Sequence, residues 1–196
     1  MRVICCRHGQ SAANAGAATL DPMSIPLTEL GQRQAEEVAL QWEQEPSLIA
    51  ISPAERARAT AAPTLKRFPN SPREEWPIHE FTYLSPIRCT GTTGEQRRAW
   101  VEAYWAKADA TYSDGDGAES FEDFIGRVDV AMRWLSDLQP EGTHPILLFG
   151  HGQFINAMRW RLYGNAAPLD MRGYRAFDLE NLVQHCSPVE LSVIAR

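Results

Sequence analysis

The chain has 196 residues, 44% of them hydrophobic, and a net charge of −6 at pH 7. That length fits one domain with a sizeable core, and the hydrophobic share is that of a soluble globular protein. The acidic balance excludes the basic face of a nucleic-acid binder. No apolar stretch is long enough for a signal-peptide core or a membrane span, so no membrane contact and a cytoplasmic location are expected.

Val3-Ile4-Cys5-Cys6 predicts a buried first strand over Arg2 to Cys6. Thr28 reads as the N-cap of a helix whose stripe of Leu30, Val38 and Trp42 runs towards Gln44. Ser47 to Ile51 is a second strand. An alanine-rich helix starts near Ala54, with Pro63 expected to bend or end it. A third strand is expected between Trp76 and Phe81, although Pro77 interrupts it. Thr82 to Gly94 reads as irregular, Glu95 to Ala108 as a helix carrying Trp100, Tyr104 and Trp105, and Ser113 to Gly117 as a loop. Ser120 to Leu138 has Phe121, Phe124, Val128, Met132 and Leu135 at helical spacing. A strand at Ile146 to Phe149 and a helix from Phe154 to Tyr163 follow, and the tail from Leu182 to Ile194 mixes strand-like and turn-like stretches. Strands alternating with helices imply an α/β fold, a three-layer sandwich with a mainly parallel sheet and helices on both faces. No repeat or linker divides residues 1–196, so a single domain is expected, with 82–118 as a substrate-cap insertion.

The four cysteines are Cys5, Cys6, Cys89 and Cys186. Neighbours on a strand point to opposite faces, so Cys5 and Cys6 are expected to be core thiols rather than a disulfide. No pair has metal-ligand spacing, and no Asp/His cluster does either, so neither a metal nor a cofactor is expected.

Chemistry concentrates where strands end. Arg7-His8-Gly9-Gln10-Ser11 lies directly behind the first strand, at the edge where open α/β sheets place ligands. A fixed cation beside a group that can act as nucleophile or base suits a phosphate. Gly9 permits a sharp turn, and Gln10, Ser11 and Asn14 add neutral hydrogen-bonding groups. Behind the second strand, Ser52-Pro53 leads to Arg56 in the first turn of a helix, while Arg58, two positions on, faces elsewhere. Gly150-His151-Gly152 follows the late strand. Glu80 stands close behind the third strand as a candidate acid, with His79 beside it read as a surface or packing residue.

Together these residues resemble the histidine phosphatase superfamily, the phosphoglycerate mutase-like fold. The likeness runs through Arg7-His8-Gly9-Gln10-Ser11-Ala12-Ala13-Asn14, then Leu27-Thr28-Glu29-Leu30-Gly31 with Gln34-Ala35. It continues through Ser52-Pro53 to Ala61, Glu119-Ser120 with Arg127-Val128, and Gly150-His151-Gly152. The resemblance implies roles. His8 would attack phosphorus and become transiently phosphorylated, its tautomer fixed by a hydrogen bond to a carbonyl of its own loop. Arg7, Arg56, His151 and Gly152 would bind the phosphoryl group, with a further hydrogen bond from Asn14. Glu80 would protonate the leaving oxygen and then activate water.

A metal-independent phosphatase is the expected function, releasing inorganic phosphate from a small phosphorylated metabolite or a phosphoprotein. An exposed, shallow site favours the protein, and an aromatic-capped pocket the metabolite. In that cap, Arg88, Arg97 and Arg98 are candidates to meet a second anionic group. Mutase-type transfer and non-catalytic phosphoryl binding on the same fold are the alternatives. Phe81 to Pro86 replaces the glycine- and acid-rich segment of mutases. A homodimer is compatible with the sequence.

Overall fold

A computed structural model describes residues 2–138, 144–163 and 169–192. In chain order the elements are β1 (Arg2–Arg7), α1 (Glu29–Leu40), β2 (Leu48–Ile51), α2 (Glu55–Arg67), β3 (Arg73–Glu75) and α3 (Pro86–Cys89). Then come α4 (Arg98–Lys107), α5 (Phe121–Asp137), β4 (Ile146–Gly150), α6 (Gly152–Leu162), α7 (Met171–Glu180) and β5 (Pro188–Ser192). The strands make one five-stranded sheet in the order β3-β2-β4-β1-β5. The first four are parallel, and β5 closes one edge antiparallel to β1.

Strand side chains alternate between faces, and two cores result. Val3, Cys5, Leu48, Ala50, Ile146 and Leu148 face Phe124, Val128, Phe154 and Tyr174 of α5, α6 and α7. Ile4, Cys6, Ile49, Ile51, Leu147 and Phe149 face Val38 of α1, Ala61 of α2 and Trp42. The sheet therefore lies between two helical layers, and Cys5 and Cys6 part to opposite cores as buried free thiols. Local signals fix the long helices. Thr28 caps α1 by accepting from the Gly31 amide, and Ser120 with Asp123 forms a capping box on α5.

Four expectations need correction, and one element was missed. α2 runs through Pro63 to Arg67, because Ala57, Thr60, Ala61 and Thr64 bury one stripe on both sides of the proline. The third strand is Arg73–Glu75, earlier than expected. The chain leaves the sheet after the Trp76 amide bonds the Ile51 carbonyl, since Pro77 has no donor to continue the ladder; Trp76, Ile78 and Phe81 are buried as core packing instead. One helical turn, α3, interrupts the stretch read as irregular, entered through Pro86. α1 ends at Leu40, so Trp42 packs from beyond it. α7 escaped the sequence reading altogether; Asp170 caps it on the Gly173 amide. Positions 193 and 194 of the tail lie outside the described residues.

Candidate active site

Strand register assembles the site. Arg7 pairs with Gly150 and Ile51 with Phe149 across parallel ladders, so the chains turn outward at the same sheet edge. His8 and His151 are the next residues on adjacent strands, with ring centroids 5.1 Å apart. The Ser52 amide continues the β2–β4 ladder to the Phe149 carbonyl, which brings its hydroxyl to His151.

The His8 loop is held against α1 and α2. The Gly9 amide donates to Thr60 Oγ1 at 3.0 Å, and the Gln10 amide to Gln34 Oε1 at 2.8 Å. Thr28 Oγ1 donates to the Gln10 side chain at 2.8 Å. Backbone meets backbone here: a methyl on Gly31 would stand 2.1 Å from the Gln10 carbonyl oxygen, and one on Gly9 2.4 Å from that of Gly31. The Leu27 to Ala35 segment thus serves as the seat of the loop.

Hydrogen bonds define both imidazoles. His8 Nδ1 lies 2.7 Å from the Gly9 carbonyl oxygen, which can only accept, so Nδ1 carries the proton and Nε2 a lone pair. Arg56 Nε donates to that Nε2 at 3.1 Å. Arg56 Nη2 donates to His151 Nδ1 at 3.1 Å, which leaves the His151 proton on Nε2, directed at Ser52 Oγ 2.8 Å away. Arg56 Nη1 is tied to the Pro22 carbonyl. Burial, with the Arg56 charge as the next cause, holds both histidines well below the usual imidazole range. Arg7 donates from Nη1 to the Val183 carbonyl at 2.7 Å, while its buried Nε has no partner. Gly152 opens α6 against the Arg7 side chain, adding a helix N-terminus to the cradle. Two guanidinium groups, two imidazoles held below their usual range and a helix start are thus gathered at one sheet edge.

Glu80 borders the same space. Its Oε1 accepts from the Phe81 amide at 3.2 Å and its Oε2 from the Gln153 amide at 3.3 Å. Burial raises its pKa, against the lowering effect of those two bonds and of Arg56 and Arg7. A clamp holds the loop around it. Arg127 donates from Nη1 to the carbonyls of Pro77 and His79, at 2.9 and 2.8 Å, and forks onto Glu119 through Nε and Nη2, both at 2.8 Å. Glu119 Oε2 in turn accepts from the Thr82 amide. His79 is half-buried, 3.9 Å from Glu119.

The structure brings Arg7, His8, Arg56, Glu80, His151 and Gly152 to the same sheet edge. Asn14 is exposed, and its Oδ1 accepts from the Ser11 amide and hydroxyl at 3.1 and 2.8 Å, folding the turn behind the motif. Arg58 pairs with Glu75 on the surface. Tyr104 and Trp105 are core residues. Two elements were missed. His185 donates from Nδ1 to the His8 carbonyl at 2.8 Å, a contact across the whole chain with no local signal. Glu119 and Arg127 stood out only as a helix signature; their hold on the Glu80 loop is a tertiary fact.

The sequence model described as histidine phosphatase superfamily (branch 1) matches residues 3–183. No curated protein matches. Solved structures do. A mycobacterial glucosyl-3-phosphoglycerate phosphatase in complex with VO3 is 27% identical, with a TM-score of 0.73 over 97% of this chain and 92% of that one. A protein described as mycobacterial hydrolase 1 is 26% identical, with a TM-score of 0.74 over 96% and 90%. The α-ribazole phosphatase from Shigella flexneri, 21% identical with a TM-score of 0.75 over 98% and 90%, shares the fold.

Proposed function

Because the chain belongs to the histidine phosphatase superfamily (branch 1), we propose that it is a phosphoric monoester hydrolase working through a phosphohistidine on His8. One observation carries this reading: His8 Nε2 holds an unprotonated lone pair inside a cradle of Arg7, Arg56, His151 and the start of α6. A phosphoryl group entering that cradle meets the Arg56 donors, which exchange the histidine rings for phosphoryl oxygens. His8 Nε2 forms a bond to phosphorus as the ester P–O bond breaks, and Glu80 gives its proton to the departing oxygen. Glu80, now a carboxylate, takes a proton from water. The hydroxide attacks phosphorus, the N–P electron pair returns to Nε2, and inorganic phosphate leaves. Arg7, Arg56, His151 and Gly152 offset the charge on the equatorial oxygens. Asn14, with Oδ1 held by Ser11, is left its amide nitrogen to donate to the same group. The four buried free thiols support a reducing, cytoplasmic setting.

The test is turnover of 4-nitrophenyl phosphate in the presence of a chelator, beside His8→Ala. Wild-type activity, inhibition by vanadate, and loss of at least about 10³-fold in the variant at an unchanged melting temperature are expected. Phosphate binding without turnover of any ester would leave a phosphoryl-binding protein instead.

A further inference from the structure

A cavity of about 400 Å³ has Arg56 and Glu80 of the proposed phosphoryl site among its lining residues. Two stretches build its walls: residues 13–25, behind the His8 loop, and residues 79–101. Leu20, Met23, Ile25, Leu84, Pro86 and Val101 give it an apolar lining. Leu20 is 76% exposed and Met23 36%, so the wall presents apolar surface to water that an apolar ligand would cover.

The charged groups on this wall are few. Beyond Arg56, His79 and Glu80, the charged residue lining the cavity is Arg97. Its Nη2 donates to Thr19 Oγ1 and the Thr92 carbonyl, at 2.8 and 2.7 Å, and its Nε to the Thr93 carbonyl at 3.2 Å. These bonds stitch the two stretches together beside the Thr19–Thr92 bridge, a structural task. The other two arginines expected to meet a second anion do not line the cavity. Arg88 pairs with Asp114 and lies over the Trp100 ring at 4.3 Å, and Arg98 is exposed.

We infer that the leaving group is an uncharged, largely apolar alcohol, and that residues 82–101 and Leu20 to Ile25 form the chamber that receives it. The substrate class is then a small aryl or hydrophobic alkyl phosphate, without a carboxylate or second phosphate on the alcohol. This rests on the phosphatase reading above. A second anion in the chamber would lose its hydration on a largely apolar wall and find a single guanidinium, Arg97, whose Nε and Nη2 already hold the protein.

Matched primary-alkyl esters test it, because their leaving oxygens are alike: 2-phenylethyl phosphate against 3-phosphoglycerate, with a phosphoserine peptide as a third. The expected result is a kcat/KM at least about tenfold higher for 2-phenylethyl phosphate. Leu20→Asp should shrink that ratio by about tenfold while inhibition by inorganic phosphate, which meets only the inner site, stays the same. Equal or faster turnover of 3-phosphoglycerate or of the peptide overturns the substrate class and leaves the phosphatase standing. An unaltered ratio in Leu20→Asp overturns the chamber. Failure to hydrolyse any of the three, or 4-nitrophenyl phosphate, removes both readings.

Discussion

Arg56 Nε donates to His8 Nε2 at 3.1 Å, so in the resting protein the lone pair proposed to attack phosphorus is occupied by the cation proposed to bind it. The contact must open for substrate to enter, and the guanidinium then turns its donors to the phosphoryl oxygens. Arg56→Gln removes the charge and the fork together. We expect kcat/KM to fall by about 10²- to 10³-fold. The His8 titration, followed by NMR, should move up towards the ordinary imidazole range, because the Arg56 charge is one cause of its depression. An unshifted His8 would show that burial alone sets its pKa.

The pH profile of kcat/KM should be bell-shaped with its plateau on the acid side of neutrality. Attack needs His8 unprotonated, and its pKa is lowered, so the acid limb lies below the usual imidazole range. Leaving-group protonation needs Glu80 protonated, and its pKa is raised, so the basic limb lies above the usual carboxylate range. Stability carries the same sign for the histidines. Below about pH 6.5 the unfolded chain binds protons that the buried rings of His8 and His151 refuse, so acid destabilises the fold. Titration of the melting temperature from pH 7 to 5 checks this, and a rise on acidification would contradict it.

Glu80→Gln should act selectively. Turnover of an alkyl phosphate is expected to fall by about 10²- to 10⁴-fold, and that of 4-nitrophenyl phosphate far less, because nitrophenolate leaves without a proton. Arg127→Leu should show the same selectivity in milder form, since it frees the Pro77 and His79 carbonyls that fix the Glu80 loop. Arg127→Lys keeps the charge but not the fork, and partial recovery is expected. An equal loss on both esters would make Arg127 a general stabiliser rather than a positioning residue.

Gly31→Ala tests the seat of the loop. The added methyl would stand 2.1 Å from the Gln10 carbonyl oxygen, and both partners are backbone, so helix or loop must shift. A loss of about 1–3 kcal/mol is expected, which for a chain of this size lowers Tm by about 2–10 °C. Activity should fall with it, since Gln10 is two residues from His8. Gly126→Ala, where a methyl meets open space, is the control and should be neutral or slightly stabilising.

What the sequence made legible is local. Val3 to Cys6 and Ile146 to Phe149 are fully apolar because both sheet faces are covered, and each is followed two residues on by a histidine. Arg56 was readable because it lies in the first turn of a helix that starts behind a strand end. The parts that were not legible depend on contacts between distant segments. Trp76 and Ile78 alternate like a strand, yet Pro77 takes them out of the ladder, and packing buries them together with Phe81. His185 reaches the His8 carbonyl from the opposite end of the chain, and nothing in its neighbourhood announces that. Arg88, Arg97 and Arg98 were candidates for a second anion from charge alone; Arg88 takes an acid and a ring, Arg97 a hydroxyl and backbone carbonyls, and Arg98 is exposed, none of which a sequence displays.

The place of β1 in the sheet has a consequence for biosynthesis. It is made before the other four strands of the sheet, yet its two neighbours, β4 and β5, are made after β2 and β3. Until residue 146 has emerged, the first strand has no partner, and its edges stay open to other nascent chains. Folding must therefore close long loops late, at the slow end of the scale for α/β chains. His8 waits with it: the carbonyls of Gly150 and Val183, which receive the His8 amide and the Arg7 side chain, lie more than 140 residues further along the chain. A truncated translation product can carry the whole Arg7-His8-Gly9 motif and still have no site.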